Sequence, residues 1–142
     1  MGGAVAIDAV KRRPDLCNAL VIDSAYANLH DVISRSFKAK SGLPAFPFAY
    51  VVTKMVNFAA DCDIDGFSII NNINEIKQPI LFVHSCCDKI VDVKDSLNMY
   101  SKVLNEKSKV LITPICEHGH IYKSFPELYQ KNINKFLKKS VA

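Results

Sequence analysis

The sequence predicts an α/β fold with parallel strands and helices on both faces of the sheet. Short apolar runs predict three strands, at 19–22, 79–84 and 109–112, and the first two are typical of buried strands of a parallel sheet. Segments with helical spacing of apolar residues separate them, and helical crossovers make successive strands parallel. A chain of 142 residues, 49% hydrophobic and 23% charged, has the size and composition of one folded domain.

The chain opens on Met1 and two glycines, followed by an alanine-rich helix predicted over 4–13. Basic residues in its last turn and Pro14 beyond it mark its end. No capping residue precedes it, and two glycines indicate a place where the backbone turns or is closely approached. The start therefore has the pattern of an interrupted element rather than of a domain beginning, and the strand at 19–22 follows it.

A long segment separates the first two predicted strands. Asn28 is a suitable cap for a helix over 29–37, and breaking residues make 38–47 a loop. The run 48–60 is strongly apolar, but Lys54 interrupts it and it is shorter than the about 20 residues that span a bilayer. We expect a buried or cap helix here and no membrane association through it. A polar stretch over 61–66, the apolar residues 67–70 and a short helix near 73–76 complete the segment.

In the second half of the chain, predicted strands, loops and helices follow one another more clearly. The strand at 79–84 runs into a polar loop over 85–93, which a helix over 94–104 follows. The strand at 109–112 leads to the loop 114–122. A capping box with proline, at 124–127, then begins the closing helix.

Two side chains with complementary chemistry follow neighbouring predicted strands. Asp88 comes after the second strand and His118 after the third. Parallel strands end at one edge of the sheet, which is where open α/β sheets bind ligands. An aspartate that accepts from one imidazole nitrogen leaves the other free to act as a base. The sequence therefore predicts an acid and histidine pair at this edge.

Alternatives remain open at both positions. Asp23 ends the first strand at the same edge and is a second candidate for the acid, while His120 is a second candidate for the base. Asp88 could equally be a turn aspartate, and His118 a solvated loop histidine.

Composition argues against several classes of protein. The formal charge of +4 is most visible in a lysine-rich tail, at Lys135, Lys138 and Lys139. The sequence has no basic stripe that would indicate nucleic-acid binding.

The five cysteines have no metal-ligand spacing, and an odd number with an adjacent pair is not typical of a secreted disulfide framework. These features favour a cytoplasmic location. The first residues have no signal-peptide pattern, and membrane association would require an anchor upstream of Met1.

The opening of the chain resembles a known catalytic motif. Met1-Gly2-Gly3 and its alanine-rich helix are similar to the second half of the nucleophile elbow of α/β-hydrolases, in the form G-x-S-M-G-G. The resemblance implies that the nucleophilic serine lies just before Met1.

Two later segments resemble the same superfamily. Residues 79–84 with Asp88 and Val91 are similar to the segment P-x-L-x-x-H-G-x-x-D-x-x-V-P that carries the acid. His118-Gly119 with Tyr122, followed by 126–129 and 136–137, resembles the histidine segment of the serine-aminopeptidase-like and dipeptidyl-aminopeptidase/acylaminoacyl-peptidase-like branch. The order of acid before histidine agrees with the order Ser, Asp, His of the superfamily.

The resemblance implies that residues 1–142 are the C-terminal portion of an α/β-hydrolase fold with a helical cap insertion. The complete protein would be a serine hydrolase of ester or peptide-like acyl bonds, which needs no cofactor and no metal. His118 would be its general base, Asp88 would orient that base, and the backbone N–H of Met1 would donate to the oxyanion. Residues 27–75 would form the cap over the acyl pocket. Aromatic and thioether side chains of the cap would line this pocket, namely Phe46, Phe48, Tyr50 and Met55.

Several residues depart from the family pattern. Ser85 replaces the glycine after the strand histidine, and Asp92 replaces the proline after Val91. Neither Ser85 nor Cys86 has the strand-to-helix turn that exposes a nucleophile. Cys116 beside His118 could form a thiolate, but a small apolar filler is the role we expect.

Without the nucleophilic serine, which the resemblance implies lies before Met1, the chain cannot carry out acyl transfer by the family mechanism. The first strand would also lack a neighbour and leave an apolar edge. The alternative function is therefore an inactive remnant or interaction module, which pairs with a partner chain, or with a missing N-terminal half of the same fold, through that edge.

Overall fold

A computed structural model describes residues 1–61, 63, 68–114 and 116–140. Expectations for Cys62 and for 64–67, and for Ile115 within the histidine loop, lie outside the described residues. The chain forms two compact units, one made of Met1–Ala27 with Ile69–Ala142 and the other of Asn28–Ser68. Each unit is described by itself below.

The first unit contains a parallel sheet of three strands. They are β1 (Leu20–Asp23), β2 (Ile80–Ser85) and β3 (Lys109–Thr113), in the order β1-β2-β3. Leu20 of β1 pairs with Ile80, and Leu81 pairs with Lys109 of β3. All six residues of β2 are buried, as a central strand requires. The predicted parallel α/β sheet is confirmed, with strand bounds within two residues of those expected.

Helices connect and flank the strands. They are α1 (Gly2–Arg12), α2 (Leu29–Ser41), α3 (Ala45–Ala60), α4 (Val93–Lys102), α5 (Ile121–Ser124) and α6 (Pro126–Ser140), with short 3-10 helices at Pro14–Leu16 and Ile73–Glu75. The sequence did not predict α5, a single turn too short to show a period. The Asp92 side chain accepts from Lys94 N at 2.9 Å, and this cap makes α4 begin one residue earlier than predicted.

The two faces of β2 bury different helices. Leu81 and Val83 pack in one apolar cluster with Ile121 and Phe136, which belong to α5 and α6. Alternate residues point to the other face, where the ring of Phe82 meets Tyr100 of α4 edge-on at 6.4 Å between centroids. The sheet is therefore covered by helices on both faces, as the sequence predicts.

The start of α1 packs closely against the end of β1. A Cβ atom added to Gly3 would lie 2.9 Å from the Cβ of Ala25 and 3.0 Å from the Cγ2 of Ile22, whereas one added to Gly2 would meet nothing within 4 Å. Of the two opening glycines, Gly3 is the one that a neighbouring segment approaches. The N-terminus of α1 therefore lies beside the carboxyl end of β1.

This close packing gives the first testable prediction. Gly3→Ala is expected to lower the free energy of unfolding by about 1–3 kcal/mol, because the added methyl group forces backbone or side-chain shifts in a packed contact. Gly2→Ala is the matched control and should not destabilise the chain, since its methyl group enters open space. Urea denaturation of both variants measures the difference, and equal stabilities would contradict the packing argument.

The second unit is a pair of packed helices, α2 and α3. Asn28 caps α2 by accepting from His30 N at 2.9 Å, and Gly42 ends it in the left-handed region with φ of 70°. Most large apolar side chains of α3 are exposed, so it is not a buried helix. They are Phe46, Phe48, Tyr50, Val51, Val52, Met55, Val56 and Phe58.

This unit lies within the segment 27–75 that the sequence predicts as a cap, and that role stays a prediction. Both of its ends join the first unit at one place, where Ala27 O accepts from Ile69 N at 3.0 Å and from Ile70 N at 3.2 Å. No helix within the described parts of the chain is long and apolar enough to cross a membrane.

Candidate active site

The loops after β2 and β3 bring Asp88 and His118 together. Because these strands are neighbours and parallel, their carboxyl ends lie side by side at one edge of the sheet. His118 Nδ1 donates a hydrogen bond to Asp88 Oδ2 at 2.7 Å. The juxtaposition expected from the sequence is therefore present, although the two residues are 30 positions apart in the chain.

The Asp88 carboxylate is held by its own loop as well as by the histidine. Its Oδ1 accepts from Ile90 N at 2.8 Å and from Val91 N at 2.9 Å, and the side chain is fully buried. Burial by itself would raise the pKa of Asp88, but the hydrogen bonds from Val91, His118 and Ile90 together outweigh it and lower the pKa below its ordinary value. The carboxylate is therefore ionised at neutral pH and can stabilise a charged imidazole.

The lowered pKa predicts a pH dependence of stability. A carboxylate whose folded pKa is depressed contributes stability above its unfolded pKa, about 3.9, and that contribution is lost as pH falls through the folded pKa. Thermal unfolding of the wild type should therefore lose more stability below about pH 4 than that of Asp88→Asn, which cannot titrate at this position. Parallel losses in the two proteins would contradict this.

The His118 ring is positioned to exchange a proton with a ligand. Its side chain is 30% exposed, and it lines a cavity of about 460 Å³. With Nδ1 donating to Asp88, the remaining nitrogen Nε2 is the basic atom of the neutral ring. The other described residues around this cavity are Cys87, Lys89, Ile90, Cys116 and Glu117.

The alternative candidates bond to other partners. Asp23 accepts from Ser24 Oγ at 2.8 Å, and it faces Tyr129, whose pKa is raised to about 12 by burial and then by the Asp23 charge and hydrogen bond. His120 Nδ1 pairs instead with the exposed Glu117 at 3.1 Å. Neither Asp23 nor His120 takes part in the hydrogen bond between Asp88 and His118.

Ser85 joins the two loops, a function that sequence reasoning missed. Its Oγ donates to Cys116 O at 3.0 Å and accepts from Cys116 N at 3.1 Å and Cys87 N at 3.4 Å. The residue is fully buried. A buried hydroxyl already bonded to both loops is not an exposed nucleophile, which agrees with the expectation for Ser85. Its presence where the family pattern has glycine was the one signal that could have indicated this role.

Removing this hydroxyl should loosen the site. Ser85→Ala leaves Cys116 N and O without their partner, and we expect a loss of about 1–3 kcal/mol in the free energy of unfolding. Ser101→Ala is the matched control, because that exposed hydroxyl bonds only its own helix at Asn98 O. Guanidinium denaturation distinguishes them, and the prediction is wrong if both variants keep wild-type stability.

The buried side chain of His84 stabilises the loop that carries Asp88. Its Nε2–H donates to Val91 O at 3.1 Å, so Nδ1 accepts from Ser96 Oγ at 2.7 Å in the neutral ring. The ring is completely buried, and Nε2 lies 3.5 Å from Asp88 Oδ2. His84 therefore ties the end of β2 to α4 and to the loop that carries Asp88. The histidine of the segment 79–84 was visible in the sequence, but its bonding was not.

Two further candidates have clear positions. Cys116 is half-buried and packs against the cluster of Leu81, Val83, Ile121 and Phe136, which agrees with a small apolar filler.

Met1 lies at the N-cap of α1, and its carbonyl accepts from Ala4 N at 3.0 Å. Its role as an oxyanion donor stays a prediction.

Comparison with solved structures identifies the architecture. An esterase of Pyrococcus furiosus superposes on 99% of this chain with a TM-score of 0.72 and 23% identity, the chain covering 51% of that protein. An acylaminoacyl peptidase of Pyrococcus horikoshii superposes on 98% with a TM-score of 0.64 and 16% identity, and the chain covers 22% of it. The chain has the α/β-hydrolase fold.

Comparison of sequences agrees with this fold. The chain is similar to the α/β-hydrolase domain-containing protein WAV2 of Arabidopsis thaliana, with 26% identity over 98% of the chain and 44% of the relative. It is also 23% identical to the uncharacterised protein YqkD of Bacillus subtilis, over 82% of the chain and 38% of that protein. No family model matches. The chain spans less than half the length of these curated relatives.

Proposed function

We propose that this chain carries the acid and the histidine of a serine hydrolase that cleaves ester or peptide-like acyl bonds. The observation that supports this most strongly is the hydrogen bond of 2.7 Å between His118 Nδ1 and the buried Asp88, at the carboxyl edge of an α/β-hydrolase sheet. That bond fixes the tautomer in which Nε2 can take a proton from a serine hydroxyl. Ester substrates are the first choice, because a solved esterase shares this fold over nearly the whole chain.

In the proposed mechanism the serine precedes Met1 in the complete protein. His118 Nε2 removes the serine proton as the hydroxyl attacks the acyl carbon, and Asp88 stabilises the imidazolium that results. The proton then passes from His118 to the leaving alcohol or amine. The N-terminus of α1, which Gly3 packs against the end of β1, presents the Met1 backbone N–H to the oxyanion.

The shape of the site agrees with an acyl substrate. Part of the cavity beside His118 is formed by Cys87, Ile90 and Cys116, whose apolar or weakly polar side chains suit an acyl chain, and the charged residues Lys89 and Glu117 complete the lining. The four side chains that we proposed as a cap lining, Phe46, Phe48, Tyr50 and Met55, are all exposed within their own unit. We assign them to substrate contact in the complete protein.

A fluorophosphonate probe tests the proposal directly, because it reacts covalently with an activated serine. The chain 1–142 is compared with a protein extended upstream to include the preceding strand and serine. Only the extended protein should be labelled, and the probe should be on that serine. Labelling of Ser85 or of another residue within 1–142 would overturn this assignment of the nucleophile.

The edge of β1 favours a second candidate function. A groove of about 340 Å³ runs along this edge strand between α1 and the sheet, and its lining is apolar apart from Cys17. Its residues are Ala6, Ala9, Val10, Leu16, Cys17, Ala19, Leu20, Val21 and Ile22. An apolar edge of this kind can accept a strand from a partner chain. Co-expression with the upstream portion as a separate polypeptide tests it, and failure of the two to co-purify would contradict pairing at this edge.

A further inference from the structure

Two adjacent thiols lie directly before Asp88, the proposed catalytic acid. Cys86 and Cys87 are both exposed, and their sulfur atoms are 3.5 Å apart. They occupy the two central positions of a turn that Asp88 N closes by donating to Ser85 O at 3.4 Å. Cys87 also lines the cavity beside His118. Any covalent change at this pair therefore occurs within the loop that positions Asp88.

We propose that Cys86 and Cys87 form a modification site at which small disulfides, such as oxidised glutathione, drive formation of a disulfide between the two neighbouring residues. Solvent exposure gives the oxidant access, and the short distance between the sulfur atoms favours closure within the turn over linkage to another chain. A reducing environment would keep both residues as thiols, whereas a rise in oxidised glutathione would convert them to the disulfide.

The reaction proceeds by two thiol–disulfide exchanges. The Cys87 thiolate attacks one sulfur of oxidised glutathione, so a mixed disulfide forms and one glutathione thiolate leaves. The Cys86 thiolate then attacks the Cys87 sulfur, and the second glutathione leaves. The two cysteines lose two protons and two electrons in total, and the oxidant becomes two molecules of reduced glutathione. The hydrogen bond to Cys87, followed by desolvation, raises the pKa of Cys86, which favours Cys87 as the first nucleophile and Cys86 as the resolving thiol.

Closing this ring must reshape the turn. Adjacent Cα atoms are about 3.8 Å apart, whereas disulfides ordinarily join Cα atoms about 4.4–6.8 Å apart. Cys86 N is anchored to Thr113 O at 3.1 Å, so the adjustment is directed towards Cys87 and the amide of Asp88. The hydrogen bond from His118 to Asp88 is therefore expected to change when the pair is oxidised. The strained bond should be readily reversed by a dithiol.

Mass spectrometry of the folded chain after treatment with oxidised glutathione tests the proposal. The expected product has lost two hydrogen atoms, resists alkylation at Cys86 and Cys87, and recovers both thiols with dithiothreitol. Cys86→Ser should stop at a stable mixed disulfide on Cys87. A stable glutathione adduct on the wild type, or a linkage from Cys116 to either residue, would overturn the proposal.

Two further comparisons keep the outcome specific. The folded chain should form the bond faster than the same chain in guanidinium chloride, since the proposal depends on the turn; equal rates would overturn it. The imidazole signals of His118 in NMR should shift on oxidation of the wild type and stay unchanged in Cys86→Ser with Cys87→Ser. An unshifted His118 in the oxidised wild type would refute the effect on Asp88. Neither readout depends on hydrolytic activity.

Discussion

His118→Ala is expected to lower the rate of ester hydrolysis, in the protein extended upstream to include the serine, by at least about 10⁴-fold. The substitution removes the group that we propose takes the serine proton, while the partial exposure of the ring means that little packing is lost. Release of nitrophenol from a short-chain nitrophenyl ester measures the rate, and circular dichroism confirms that the fold is retained.

His120→Ala is the matched control for this experiment. His120 is two residues away on the same loop and is more exposed, but it pairs with Glu117 rather than with Asp88. We expect the rate of this variant to stay within roughly threefold of the wild type, because a histidine outside the proposed triad makes no proton transfer. If His120→Ala lost as much activity as His118→Ala, the assignment of the base would be wrong.

Asp88→Asn is expected to lower kcat by about 10⁴-fold with a small change in KM. The asparagine oxygen can still accept from Ile90 N and Val91 N, so the loop keeps its shape. Its amide nitrogen then faces His118 Nδ1, however, and this favours the wrong tautomer of the ring. The loss should therefore appear in the chemical step rather than in substrate binding.

Asp23→Asn separates this role from a general effect of lost charge. Asp23 lies at the same edge of the sheet, but β2 separates it from β3, and it bonds Ser24 and Tyr129. Activity should be nearly unchanged, and the raised pKa of Tyr129 should fall towards its ordinary value. A large loss of kcat in Asp23→Asn, with normal kcat in Asp88→Asn, would reverse the assignment of the acid.

The sheet and the main pair of the site could be predicted from sequence for a simple physical reason. A strand buried on both faces, such as β2, needs a continuous apolar run, and the apolar runs that contain Leu20, Phe82 and Leu111 are visible without any structure. Parallel strands also fix which loops share an edge. The meeting of Asp88 and His118 followed from that rule and from their order in the chain.

The remaining features depend on strand order and on bonds between distant residues. The sequence could not decide whether Asp23 or Asp88 is the acid, because both come at the carboxyl ends of predicted strands. Only the position of β2 beside β3 brings Asp88 to the histidine. Ser85 meets Cys116 only after the two strands align, so its bonds have no local pattern. The exposure of α3 also differs from the buried helix that was one expectation, since an apolar composition does not say what covers a helix.

The joining of Ala27 to Ile69 and Ile70 has a consequence for evolution and for engineering. The segment 28–68 leaves and re-enters the sheet-bearing unit at a single hydrogen-bonded point, so its length and sequence can change without moving the strands. Insertions at such points are tolerated because no core backbone is displaced. The whole segment could therefore be exchanged for another while the edge that carries Asp88 and His118 is inherited unchanged.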